Sequence, residues 1–186
     1  LSVNYRLGIG YGRAFRDVPD GGPRGGSEYR DLLAAARLLR GNSRVDPERI
    51  GLWGGSYGGL MTALGLARNS DLFAAGVDLH GVHDWNKWQS WVSGEENDEG
   101  RAEWSSSPIA DLGSWSSPVL LIHGDDDRNV PFSETKWLVE NFDAMEVEYE
   151  LLVFPDDVHG FLLYRNWVRA YEAAADFFDR KLKGGG

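Results

Sequence analysis

At 186 residues the chain is sized for one domain around one core. With 42% hydrophobic and 26% charged residues it has the composition of a folded globular protein, not of a disordered one. A formal net charge of −10 argues against a nucleic-acid partner, whose phosphates need a basic face, and against an anionic membrane surface. No apolar run is long enough to span a bilayer. The absence of cysteine removes disulfides, thiolate metal sites and cysteine nucleophiles without fixing a compartment. Eight Trp, seven Tyr and eight Phe supply large apolar area, for a core or for the walls of a pocket.

Residues 1–5 read as a short strand, and a glycine-rich stretch follows over 8–26. Ser27 is placed to cap a helix over about 28–40, with Tyr29, Leu32, Leu33, Ala36 and Leu39 on one face and Gly41 as its stop. Residues 50–53 make a short buried strand. The glycine turn Gly54-Gly55-Ser56-Tyr57-Gly58-Gly59 comes next, then a helix over 60–68. Residues 74–79 form another apolar strand, and 82–104, rich in Trp, Asn, Glu and Ser, break the alternation. Residues 118–122 are a continuous apolar strand, 133–141 a helix and 147–154 the last strand. The closing helix carries Val168, Tyr171, Ala175, Phe178 and Leu182 at helical spacing. Strands that are apolar throughout and alternate with helices predict an α/β fold with a mostly parallel sheet covered on both faces. A single unit over 1–183 is expected, with 184–186 as a flexible glycine tail.

The strongest chemical signal is Gly54-x-Ser56-x-Gly58 between a strand and a helix. A nucleophile on such a turn is held in strained backbone at the end of the sheet, and small residues flank it because strand and helix nearly collide. The amide that follows, on Tyr57, then faces the place where an oxyanion would form. A serine hydroxyl needs a base and an orienting carboxylate, and in this architecture they follow in the order acid, then histidine. Of the four histidines, His159 lies in a loop past the last strand. The acid belongs in the loop after the 118–122 strand, where Asp125, Asp126 and Asp127 all qualify by spacing. His123 closes a strand and reads as a structural hydrogen-bonding residue. His80 and His83 bracket a turn at another strand end and could face the cleft, but they precede the acid. The aspartate cluster with His123 offers ligands for a hard cation, but no calcium-loop spacing is present and no metal site is expected. The early glycine-rich loop lacks the Gly-Lys-Ser/Thr of a phosphate cradle and reads as a surface loop.

With these residues in place the chain resembles the catalytic domain of the prolyl oligopeptidase family of serine peptidases, which includes dipeptidyl and acylaminoacyl peptidases. Val45-Asp46-Pro47-Glu48-Arg49-Ile50-Gly51 and Trp53-Gly54-Gly55-Ser56-Tyr57-Gly58-Gly59 are similar to that family's nucleophile region. His123-Gly124-Asp125-Asp126-Asp127-Arg128-Asn129-Val130-Pro131 resembles its acid loop and His159-Gly160-Phe161 its histidine loop. The resemblance implies an α/β-hydrolase fold and selects Asp127 as the triad acid. It further implies substrate contacts from Asn129 and from Trp85, Trp88 and Trp91, and a peptide as substrate. The chain departs from the family in carrying Leu7-Gly8 where Gly-Ser usually follows Tyr-Arg. The family's earlier strands, the loop bearing a second oxyanion donor and an N-terminal β-propeller are implied upstream of Leu1. An unpaired strand edge near Val3 would then invite pairing with a second copy.

The chemistry so read is acyl transfer to water and needs no cofactor. An esterase on the same fold and a non-catalytic binding derivative are the rival readings. Amide against ester turnover separates the first, and fluorophosphonate labelling the second.

Overall fold

The computed structural model describes residues 1–22, 26–94 and 106–184. Four strands, β1 (Gly51–Gly55), β2 (Ala75–Leu79), β3 (Val119–Gly124) and β4 (Tyr149–Phe154), form one sheet in the order β1-β2-β3-β4, every pair parallel. The helices are a single turn α1 (Arg13–Arg16), α2 (Ser27–Arg40), α3 (Tyr57–Arg68), α4 (Trp85–Ser93), α5 (Ser133–Met145) and α6 (Tyr164–Leu182), with a 3-10 stretch at Pro108–Ser114.

Burial follows strand position. Every residue of the central strands β2 and β3 is buried, whereas β1 and β4 at the edges are mostly half-buried, with Phe154 their one buried residue. Side chains of one strand point to opposite faces, so two separate cores result. On one face Val119 and Leu121 of β3 meet Ala63 and Leu66 of α3, Leu138 and Phe142 of α5, and Ala36 of α2. On the other, Ala75, Val77, Leu79, Leu120 and Ile122 meet Ala170, Ala174 and Phe177 of α6. Full burial of one such large side chain contributes about 1.5–3 kcal/mol. Helix α3 is buried from Gly59 to Ala67, because it lies between the sheet and the outer layer of α2 and the 3-10 stretch.

Three local expectations need correction. Residues 1–5 form no strand. A strand requires a ladder partner, and the segment instead lines an apolar cleft of about 440 Å³ beside β1 with Leu32, Leu52 and Met61. It is anchored by Arg6, whose guanidinium spans the Asp31 carboxylate of α2 at 2.7–3.1 Å. The edge strands of this sheet are β1 and β4, and Val3 belongs to neither. Ser27 is the first residue inside α2 rather than its cap. Gly26, in left-handed backbone at φ 64°, takes the capping position, and the Ser27 hydroxyl is buried against Glu28. In α6 the buried stripe is Ala170, Ala174 and Phe177, whereas Tyr171 is 49% exposed. Of the expected stripe, Phe178 and Leu182 pack against that core while Tyr171 and Ala175 face out, so periodicity placed the buried face about one residue off.

Candidate active site

The carboxyl ends of β1, β2, β3 and β4 carry Ser56, His80, Asp127 and His159. Such strand ends are where open α/β sheets place ligands. Ser56 stands between β1 and α3 at φ 57°, ψ −117°, a conformation costing about 1–3 kcal/mol for a residue with a side chain. The surroundings enforce it. The Ser56 N–H donates to the Leu79 carbonyl at 2.9 Å and to His80 Nδ1 at 3.2 Å. Gly54 lies so close to α3 that a Cβ there would stand 2.3 Å from the Gly58 carbonyl oxygen. As the first residue of α3, Tyr57 has a backbone N–H with no intrahelical acceptor. Its hydroxyl donates to the buried Glu28 at 2.6 Å. Burial and that carboxylate push the phenol well above its usual pKa.

The three aspartates that spacing could not separate have different surroundings. Asp125 Oδ1 accepts the Asp156 N–H at 2.7 Å and so ties the acid loop to the histidine loop. Asp126 pairs with Arg128 on the surface at 3.0 Å. Asp127 is buried. Its Oδ1 accepts the N–H groups of Asn129 (2.8 Å) and Val130 (3.0 Å), and its Oδ2 faces His159 Nδ1 at 2.6 Å and His123 Nε2 at 3.1 Å. Burial alone would raise its pKa, but the bonds from His123, His159, Val130 and Asn129 outweigh it and hold the carboxyl well below the usual range. The acid is thus an anion with its lone pairs occupied. His80, Asp127 and His159 each bring a potential ligand atom within 4.8 Å of the others. With the carboxylate already accepting four donors, that grouping fits a hydrogen-bonded acid–histidine pair better than a metal centre.

The histidine loop is clamped to the acid loop. The Asp126 N–H donates to the Asp157 carbonyl at 3.1 Å. The buried Asp157 side chain accepts the N–H groups of Val158 and Leu162 and the Asn166 amide at 2.7–2.9 Å. His159 keeps 20% of its side chain exposed.

Of the predicted substrate contacts, Trp85 and Trp88 meet edge to face at 5.0 Å, and Trp85 lies 5.9 Å from Tyr57. The Trp88 indole N–H donates to the Asn129 carbonyl at 2.8 Å, joining α4 to the acid loop. Trp85 also packs on the Tyr29, Leu60, Met61 and Leu64 core, so part of it is structural. Trp91 is 46% exposed and lines a groove with Lys87, Pro131 and Trp137 that neither other tryptophan lines. Trp104, at the end of the same segment, lies outside the described residues.

Two further histidines stand here, and His123, read from the sequence as a structural hydrogen-bonding residue, is one. His123 donates to the Asp127 carboxylate, and His80 touches both Ser56 and His159. His123 is signalled only by its place at a strand end four residues before Asp127. His80 is signalled only by its place at a strand end that could face the cleft, and its contact with Ser56 and His159 is not legible there.

Comparison with known proteins follows the same lines. A dipeptidyl aminopeptidase BIII of Pseudoxanthomonas mexicana is 28% identical across the whole chain, which spans 29% of that protein. Among solved structures, the acylaminoacyl peptidase of Pyrococcus horikoshii superposes with a TM-score of 0.84 at 28% identity, over 99% of this chain and 32% of that one. A puromycin-hydrolyzing peptidase of Mycobacterium tuberculosis does so with a TM-score of 0.84 at 28% identity, over 96% of this chain and 29% of that one. The chain therefore spans about a third or less of these relatives, and the fold it shares with them is the α/β-hydrolase fold. The family model for the prolyl oligopeptidase family matches residues 1–185, and the chain belongs to that family.

Proposed function

We propose that the protein is a serine peptidase that hydrolyses oligopeptides through an acyl-enzyme, with Ser56 as nucleophile, His159 as general base and Asp127 as the acid that orients it. The observation that carries this reading is the 2.6 Å bond between His159 Nδ1 and a buried, anionic Asp127, beside a serine on a strained strand-to-helix turn. Asp127 accepts from Nδ1, so neutral His159 has its free lone pair on Nε2, the atom that must take the serine proton. In the first step Ser56 Oγ forms a bond to the substrate carbonyl carbon while its proton passes to Nε2. The carbonyl oxygen becomes an oxyanion, for which the Tyr57 N–H, at the first position of α3 and without an intrahelical acceptor, is one donor. Collapse breaks the C–N bond, and the imidazolium returns the proton to the leaving amine. Water repeats the sequence on the acyl-enzyme and restores Ser56. Trp85 and Trp88 flank the residue before the cut, and Asn129 meets the substrate near the scissile bond.

A peptide substrate is supported by the family, and by a similar acylaminoacyl peptidase solved in complex with Z-Gly-Gly-Phe-chloromethyl ketone (29% identity, TM-score 0.85). The test uses the intact protein. A fluorophosphonate should label Ser56, and Ser56→Ala should lower kcat on a peptide amide by about a million-fold while the fold is kept. A Ser56→Ala protein retaining a tenth of the activity would refute the assignment, and turnover of esters with none of amides would refute the peptidase part.

A further inference from the structure

One group beside the site has no part in that chemistry. His80 is the first residue after β2, is 6% exposed and adopts a positive φ of 41°. The sheet sets its position, since its N–H donates to the Ile122 carbonyl of β3 at 2.8 Å. One edge of its ring accepts the Ser56 N–H through Nδ1 at 3.2 Å. The ring lies against His159, centroid to centroid 4.1 Å, and is backed edge-on by Phe161 at 5.6 Å. Gly55 makes room for it, for a Cβ there would stand 3.2 Å from His80 Cε1.

We propose that His80 is a positioning residue for the base: its imidazole, oriented by the Ser56 amide, is the surface on which the His159 ring rests, holding the turn that bears the nucleophile and the loop that bears the base in register. This rests on the reading of Ser56 and His159 given above. The Nδ1 bond to Asp127 holds one end of the His159 ring but leaves it free to swivel about that bond. Contact with a second ring supplies the missing constraint. The positioning ring must also be uncharged, because a cation there would oppose the imidazolium that His159 becomes. Burial, aided by the neighbouring His159 and His123, lowers the His80 pKa to about 4 against the opposing pull of Asp127 and Asp78. Since Nδ1 accepts, neutral His80 carries its proton on Nε2, and that atom is buried without a partner among the described residues. A phenyl ring would avoid the unmatched donor, so packing alone does not explain an imidazole here. The acceptor at Nδ1 does, together with the ease with which histidine adopts left-handed backbone.

The test compares two replacements in the intact protein, with kcat normalised to active sites titrated by a fluorophosphonate. His80→Asn suits the backbone and puts an amide oxygen near the place of Nδ1, but lacks the ring against His159. His80→Phe keeps a ring and loses the acceptor. His80→Asn should lower kcat about ten- to hundred-fold with KM changed less than about threefold, on the scale of a roughly 1 Å misplacement of a catalytic group. His80→Phe, which restores the ring contact without the bond that orients it, should recover part of that loss and stand between His80→Asn and wild type. A merely structural residue would reduce the number of titratable sites and the melting temperature and leave kcat per site intact. Should His80→Asn fail to fold, His80→Gln takes its place. Normalised kcat within about twofold of wild type for His80→Asn, or His80→Phe as slow as His80→Asn, overturns the proposal. Failure of wild type to label at Ser56 would instead overturn the triad reading.

Discussion

Gly54→Ala and Gly58→Ala touch the two glycines of one motif, yet they should behave in opposite ways. A Cβ on Gly54 would stand 2.3 Å from the Gly58 carbonyl oxygen, 2.4 Å from its carbon and 2.8 Å from its Cα. All three are backbone, so no side chain can rotate away, and β1 and α3 must part by about an ångström to regain ordinary contact distance near 3.5 Å. Overpacking of this kind costs roughly 1–3 kcal/mol or more, which for a domain of this size lowers Tm by about 2–12 °C. The same shift displaces Ser56, and a displacement of about 1 Å costs on the order of a hundred-fold in rate. Gly58 is the control. Its Cβ would meet nothing within 4 Å, and it sits in the first turn of α3 without positive φ. Alanine there should leave stability unchanged or raise it by up to about 1 kcal/mol. Thermal melting by circular dichroism reads the stability, and titration of active sites with turnover per site reads the geometry. A Gly54→Ala protein melting within about 1 °C of wild type, or a Gly58→Ala protein falling as far as Gly54→Ala, would refute the close-approach argument.

Two further outcomes follow from the site. Asp127→Asn should lower kcat on the order of ten-thousand-fold, since an amide favours the wrong tautomer of His159. By contrast Asp126→Asn, which loses only a surface pair with Arg128, should stay within about 1 kcal/mol and keep full activity. Asp125→Asn should cost about 1 kcal/mol through its bond to the Asp156 N–H, with little change in kcat. Equal damage from Asp125→Asn and Asp127→Asn in steady-state kinetics would reverse the choice of acid. Trp88→Ala removes the indole bond to the Asn129 carbonyl and should change the preference for the residue before the cut more than it changes Tm, while Trp91→Ala should leave that preference alone. A peptide library assay showing equal losses for every substrate with Trp88→Ala, alongside a large drop in Tm, would make Trp88 a core residue.

The sequence by itself determined the local periodicities and the motif order. Continuous apolar runs at 74–79 and 118–122 announced central strands, and both are buried along their whole length because both faces of the sheet are covered. The glycines around Ser56 announced the turn, and at Gly54 the reason is the approach of β1 to α3, which only a residue without a side chain tolerates. What spacing left open were choices among equivalent local signals, of which family resemblance had selected Asp127 without a physical reason. Asp125, Asp126 and Asp127 are adjacent and chemically identical. Only the path of the loop after β3 turns Asp127 inward to His159, leaves Asp126 on the surface and engages Asp125 with the histidine loop. Residues 1–5 carry strand-like composition but form no strand, because a ladder needs a partner and Arg6 is fastened to α2 instead. In α6 the buried face is centred on Ala170, Ala174 and Phe177, with Phe178 and Leu182 at its margin, and contact with the sheet rather than spacing sets that centre. His80 shows the limit most clearly. Its role depends on ring and backbone contacts with residues 24 and 79 positions away in the chain, reached only because parallel strands bring their carboxyl ends to one edge. Periodicity is a property of neighbours along the chain, whereas such contacts are set by where strand ends converge, and that convergence exists only in the tertiary structure.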